Sequence, residues 1–448
     1  MGTPGEIIAE YVYSVNLDAI PKEVVEKTKA CLLDTLCVAV AGSQSKEALI
    51  VQKVVSRLGG IPEATVINSH VKLPAPNAAL INATMAHSIE LDDTDRFTYF
   101  HPGAPIVMAA LAMAEATGCS GKKLLEGILV GYETSIRIAE AINPSHRWRG
   151  FHTTGTVGTF GAGIASAKIL GLEPPKIEST LGISGTQAAG LFEFLQDGSM
   201  IKRFHPGKSA WNGIMAAYLA ESGFTGPASI LEGENGFLKA TSDRADVAKL
   251  TENLGKFYRI LRVGIKRHAA CRYCHTAIDA ALEIKCCNDI NIKEIDKVIV
   301  YVSKLCAKQT GNTNVSTLLG AQLSTPYAVA LALVKGATSI NAFIEGLSDP
   351  EVLSFMQKVE VKEYEEFGET GRQAVVSIKT KEGRSMEKKV DLAKGEPENP
   401  LTPMELKEKA TELCKSVLGK QRAEQLLTSI GNVEKMKSID GICGILRA

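Results

Sequence analysis

Between Ser120 and Ile142 the chain reads SGKKLLEGILVGYETSIRIAEAI, a helix from its first turn to its last. Ser120 is a good N-cap, because its hydroxyl can accept from a first-turn backbone N–H. Asn143-Pro144 ends the segment, since the residue before a proline is pushed out of the helical region. The same texture fills the first 255 residues. Pro21 to Gly42 sets Val24, Val25, Cys31, Leu32, Leu36 and Val38 at helical spacing, with Gly42 as a natural stop. Ala, Leu, Met and Glu outweigh β-branched and aromatic residues here, so strand signals are weak. Residues 154–171 and 178–194 are rich in Gly, Ala, Ser and Thr. Small residues let helix backbones approach closely, which places these two segments at the centre of a helical bundle.

After Gly255 the pattern changes. Phe257 to Ile265 alternates and runs into Lys266-Arg267. VIVYV within Lys293–Leu305 reads as a strand, as does VEVKEY within Lys358–Tyr364. Gln373 to Val390 reads as a hairpin around Lys381-Glu382-Gly383. Helical patterns at 271–286 and 322–348 lie between the strands. This is an α+β domain of roughly 135 residues. LAKGEPENPL, residues 392–401, is a Pro- and Gly-punctuated linker, and Thr402-Pro403-Met404-Glu405 then opens a helix with an N-cap, Pro at N1 and a capping-box Glu. The chain is thus mainly α with a smaller α+β domain: residues 1–264 and 402–448 form a helical domain, its C-terminal helices packing back on it, and residues 265–401 the α+β domain.

The whole chain has 448 residues, 45% hydrophobic and 22% charged, with 50 Lys plus Arg balanced by 50 Asp plus Glu. A balanced chain has no electrostatic footprint for nucleic acid or an anionic membrane. It has no run of about 18 predominantly apolar residues of the kind a membrane span needs. The start, MGTPGEIIAEYVYSV, lacks a basic and then apolar leader. Ten scattered cysteines read as reduced thiols, so the expectation is a soluble cytoplasmic protein.

Cys271-Arg-Tyr-Cys274-His275 matches a haem-attachment pattern, but such attachment belongs to exported chains. Zinc held by His268, Cys271, Cys274 and His275 would crowd four ligands into eight residues, with no second pair at zinc-finger spacing. Structural cysteines on a helix are the better reading. Gly155, Gly158, Gly161 and Gly163 lack the preceding strand of a dinucleotide loop and read as helix-packing glycines. Glu90-Leu-Asp-Asp-Thr-Asp95 gathers four carboxylates after an apolar helix, with His101 following. Its bland reading is an acidic helix end in solvent; a metal reading would use Asp92, Asp93, Asp95 and His101. Carboxylates there oppose the helix dipole, and locally unfavourable clusters favour function. Lys202-Arg203-Phe-His205, Lys266-Arg267-His268 and Gly150-Phe-His152 each interrupt apolar surroundings. Singly each reads as solvated loop charge. Together they suggest a cleft suited to proton transfer beside a carboxylate-bearing carbon.

Asn82-Ala-Thr-Met-Ala-His87-Ser-Ile-Glu90-Leu-Asp-Asp93-Thr94 and His101-Pro-Gly-Ala-Pro105 resemble the MmgE/PrpD family. So do Gly150-Phe-His152-Thr-Thr-Gly155-Thr, Lys202-Arg-Phe-His205-Pro-Gly207, Lys266 through His275, and Ser324-Thr-Pro-Tyr327, all in the family's order. That family includes 2-methylcitrate dehydratase, cis-aconitate decarboxylase and iminodisuccinate epimerase. The resemblance implies a helical domain with an inserted α+β lid, a homodimer, and no metal, iron–sulfur cluster or other cofactor. It implies a site between the domains, with Thr94, His101, His152 and Lys202 from one and Lys266 and Tyr327 from the other.

The reading that follows is a lyase of a small di- or tricarboxylate, foremost a hydro-lyase of the 2-methylcitrate dehydratase kind, in propionate metabolism. Lys202 and Lys266 would clamp carboxylates and stabilise developing negative charge. One of His101 and His152 would be the base, and the other, or Tyr327, the acid. Thr94 would position the substrate, Glu90 and Asp93 would orient or charge-tune the histidines, and His275 would join the substrate-binding set. Glu90 stands where the decarboxylase branch has Asp, and Cys271 where it has His. The Thr94–His101 loop is also slightly longer. These departures point away from decarboxylation. Decarboxylase and epimerase outcomes share the site, and a non-catalytic carboxylate-binding protein is the reading from another class.

Overall fold

The computed structural model describes residues 2–288 and 290–448. They divide into two compact units, one running to Ile265 and resuming at Thr402, the other from Lys266 to Leu401. The first is helical, and the second combines helices with a four-stranded sheet.

In the first unit the helix Gly121–Ile142 starts where Ser120 Oγ accepts from Lys123 N. It packs on the helix Thr153–Leu170, which is buried almost throughout. The small residues explain the approach: a Cβ on Gly131 would lie 2.8 Å from the carbonyl oxygen of Gly161. The other small-residue segment differs from its reading. Its helix is Pro174–Gln187, begun by two prolines whose fixed φ suits a first turn. Ile177 and residues 180–184 are buried, while its first turn and the residues after Ser184 are partly or fully exposed. The helix Pro403–Leu418 opens with the Thr402–Glu405 capping box and packs on Lys22–Gly42, where Lys409 Nζ reaches Asp34 at 2.5 Å. Two departures from an all-helical reading occur. Residues 64–65 (β1) and 72–73 (β2) pair as a short ribbon. The alternation from Phe257 to Ile265 forms a 3-10 turn at Arg259–Arg262 and a single bridge from Gly264 to Thr94.

In the second unit the expected strands form: Ile295–Val302 (β3), Val359–Glu363 (β4), Ala374–Thr380 (β5) and Ser385–Val390 (β6). Their order is β4-β3-β5-β6, with β3 and β4 parallel and the other pairs antiparallel. The 322–348 segment breaks into Thr325–Lys335 and Ile340–Gly346. Gly336 ends the first at φ +70, a left-handed cap that a residue with a Cβ adopts at a cost. Cys271 and Cys274 precede the helix His275–Cys287 instead of lying on it. The 392–401 stretch is more than a linker. Its Glu396 is buried and accepts from Arg272 Nε at 2.8 Å. Among the described residues no single helix is long and apolar enough to cross a membrane.

Candidate active site

The acidic run does not face solvent. Glu90, Asp92, Asp93 and Asp95 are all essentially inaccessible. The helix Ala75–His87 delivers His87 as its last residue, and Glu90 then adopts φ +55, which turns the chain into the acidic run. Asp95 and Phe100 exchange backbone hydrogen bonds, so DRFTYF forms a closed loop that returns the chain to His101. Pro102 then leads into the helix Gly103–Thr117.

Each carboxylate has a different task. Glu90 Oε1 receives both Lys202 Nζ and Arg203, two consecutive residues in the first turn of the helix Ile201–Glu221. Arg203 also donates to the His87 carbonyl at 3.0 Å. Asp92 Oδ2 accepts from His87 Nδ1 at 2.7 Å and lies 3.5 Å from His101 Nδ1. Asp93 accepts from the Tyr132 hydroxyl at 2.7 Å and from Gly103 N at 2.9 Å. Burial pushes its carboxyl up to about 7, against those two donors. Asp95 accepts from Thr98 and Arg262. The carboxylates therefore point apart, and the proposed metal set of Asp92, Asp93, Asp95 and His101 does not assemble. A different trio, His87, Asp92 and His101, does lie close enough to hold an ion. In it, His87 Nδ1 is hydrogen-bonded to Asp92 itself and His101 Nδ1 to the Asp93 carbonyl.

Four histidines meet here. His101 Nδ1 is 2.9 Å from the Asp93 carbonyl oxygen, which can only accept. The proton therefore sits on Nδ1, leaving Nε2 as the basic nitrogen. His152 precedes the helix Thr153–Leu170, and its Nδ1 lies 2.8 Å from His205 Nδ1, so one ring donates and the other accepts. Phe192 and Phe194 pack edge-on against His152, at 4.8 and 5.4 Å between ring centres. His87 stands 5.1 Å from His101 and 6.0 Å from His152. Burial, reinforced by the neighbouring His205, His87 and Lys202, holds His152 well below the ordinary imidazole range. Burial also depresses His87, and it brings His205 down to about 4. These three rings are neutral at pH 7. Thr94 is buried, and its backbone exchanges hydrogen bonds with Gly264.

The remaining predicted site residues belong to the second unit. Lys266 is fully buried. Two of these side chains are engaged within the unit. The Tyr327 hydroxyl donates to the Phe343 carbonyl at 2.9 Å inside that unit's core, where burial raises its pKa. His275 has both ring nitrogens engaged: Nδ1 accepts from Arg272 at 3.1 Å, and Nε2 donates to the Ala270 carbonyl at 3.2 Å. It braces its loop. Asp93 orients His101 through its backbone carbonyl, while both its carboxylate oxygens are taken by Tyr132 and Gly103.

The MmgE/PrpD N-terminal domain matches residues 6–249, and the MmgE/PrpD C-terminal domain matches residues 268–435. The chain belongs to the MmgE/PrpD family. Its relatives in that family include a cis-aconitate decarboxylase of Aspergillus terreus, 27% identical over 98% of this chain and 95% of that protein. A cis-aconitate decarboxylase-like protein of Aspergillus oryzae is 26% identical over 99% and 97%. The Homo sapiens cis-aconitate decarboxylase is 24% identical over 99% and 94%. These relatives support a lyase. Within this MmgE/PrpD chain, sequence reasoning gave His87, Arg203 and His205 no individual role and read Asp92 only as a metal ligand. A signal existed for two of them: Arg203 and His205 lie one and three residues beyond Lys202 on a helix. His87 sits five residues before the carboxylate it pairs with, a spacing with no helical meaning once the helix has ended.

Proposed function

We propose that this chain is a lyase that removes a proton from the carbon beside a carboxylate of a small di- or tricarboxylate. The observation that supports this reading is the fixed tautomer of His101, with a carboxylate 3.5 Å from its protonated nitrogen, in a cluster of neutral imidazoles. His101 Nε2 is the base, and Asp92 stabilises the imidazolium that forms. Lys202, held at Glu90, takes a substrate carboxylate and stabilises the charge that builds up as the proton leaves. The resemblance adds Lys266 as a second cation and Thr94 as a positioning group.

The finer reading is a hydro-lyase of the 2-methylcitrate dehydratase kind. One C–H and one C–O bond break, a C=C bond forms, and proton and hydroxide leave as water, so no co-reactant is consumed. Glu90 and Cys271, which depart from the decarboxylase branch, favour dehydration. The names of the relatives favour a second reading, loss of carbon dioxide from cis-aconitate. Proton NMR in D2O with 2-methylcitrate, citrate, cis-aconitate and iminodisuccinate separates the two. An alkene from a hydroxy acid supports the hydro-lyase. Loss of a carboxyl group from cis-aconitate, with hydroxy acids untouched, refutes it.

A further inference from the structure

His87 is fully buried, and its Nδ1 lies 2.7 Å from Asp92 Oδ2. A carboxylate only accepts, so Nδ1 carries the proton and Nε2 carries the lone pair. Nε2 is buried and has no hydrogen-bond partner. It is on the side of the ring away from Asp92, in a ring that neighbours His101 and His152. An orphaned buried acceptor costs its full desolvation unless a ligand or a water satisfies it. The nearby donors are already directed elsewhere: His101 Nδ1 to the Asp93 carbonyl, Lys202 and Arg203 to Glu90.

The substrate class narrows what can satisfy this atom. Ionised carboxylates bring only acceptors, and an alkene brings nothing. A hydroxyl brings a donor. We propose that His87 Nε2 accepts the hydroxyl of a hydroxy di- or tricarboxylate, and so selects hydroxy acids over their deoxy and unsaturated counterparts. Asp92 is the positioning residue, because its hydrogen bond to Nδ1 keeps the acceptor on Nε2. The burial that depresses His87 keeps the ring neutral at pH 7, as an acceptor must be. This inference rests on the hydro-lyase reading and names the group that would recognise its substrate.

The test is calorimetric binding of citrate and of propane-1,2,3-tricarboxylate, the same skeleton without the hydroxyl, to the full chain. Wild type is expected to prefer citrate by about tenfold or more, the scale of one buried hydrogen bond. His87→Asn keeps a donor for Asp92 and removes the distal acceptor. It is expected to bind the deoxy acid as wild type does and to lose the preference. His87→Gln places an amide oxygen near the lost nitrogen and is expected to recover part of it. Equal binding of both acids by wild type, or binding of neither, overturns the proposal, as does an intact preference in His87→Asn. The function reading fails separately. A wild type that dehydrates no hydroxy acid in the NMR assay, yet prefers citrate through His87, refutes the hydro-lyase and leaves hydroxyl recognition standing.

Discussion

His146 makes the protein's acid sensitivity calculable. Its ring stacks on Phe151 at 4.8 Å between centres, its Nδ1 donates to the Thr241 carbonyl at 3.1 Å, and its Nε2 accepts from Thr156 Oγ1 at 2.8 Å. Burial lowers it to about 4, opposed by the Thr241 hydrogen bond and assisted by Arg149. In an unfolded chain the same ring titrates near ~6.5. The folded-state value is the depressed one, so the stability is fully present above pH ~6.5 and is lost as pH falls towards 4. The whole depression corresponds to roughly 3.4 kcal/mol, of which about 1.8 kcal/mol disappears between pH 7 and pH 5. His146→Asn retains a donor for Thr241 and cannot titrate. Urea unfolding of wild type and variant at both pH values isolates the effect, because all other titrating groups cancel in the double difference. The variant is expected to lose about 1.8 kcal/mol less than wild type over this interval. Equal losses in the two proteins, or an NMR titration of His146 near its unfolded value, would refute the reasoning.

Three other perturbations have defined outcomes. A Cβ at Gly42 would lie 2.0 Å from the Met85 carbonyl oxygen, on the helix that delivers His87, so Gly42→Ala should cost about 3 kcal/mol in chemical denaturation and reduce turnover; a neutral result would contradict the packing. Asp93 has a raised folded-state value, about 7, so its contribution to stability is present at low pH and is lost as pH rises from ~4 through 7. Tyr132→Phe removes a donor to its carboxylate and should move that loss upward by about one pH unit in a stability profile; an unchanged profile would mean that Asp93 does not titrate there. Lys202→Ala should lower turnover roughly a hundredfold to a thousandfold with little change in melting midpoint, since Arg203 still holds Glu90; near-native rates would end the carboxylate-clamp assignment.

How much the sequence revealed depended on how local each interaction is. Ser120 and Thr402 cap helices through bonds spanning three residues, so their patterns were readable directly. The hairpin of β5 and β6 was legible for the same reason. His101, His152 and Lys202 stood out by motif, but their partners did not, because His152 meets His205 across 53 residues and Lys202 meets Glu90 across 112. Tyr327 and His275 fit the motif too, but their buried hydrogen bonds to main-chain carbonyls, 16 and 5 residues away, are seen only in the fold. The acidic run shows the limit most sharply. Asp92 and Asp93 are adjacent and chemically identical, yet one faces two imidazoles and the other a tyrosine. What separates them begins two residues earlier, where Glu90 takes φ +55, a backbone state that non-glycine residues enter at a cost of order 1 kcal/mol. Glycine would take that state freely, but it could not bind Lys202 and Arg203. The strained glutamate is therefore best understood as a compromise between turning the chain and holding the cations, and a local pattern registers neither demand.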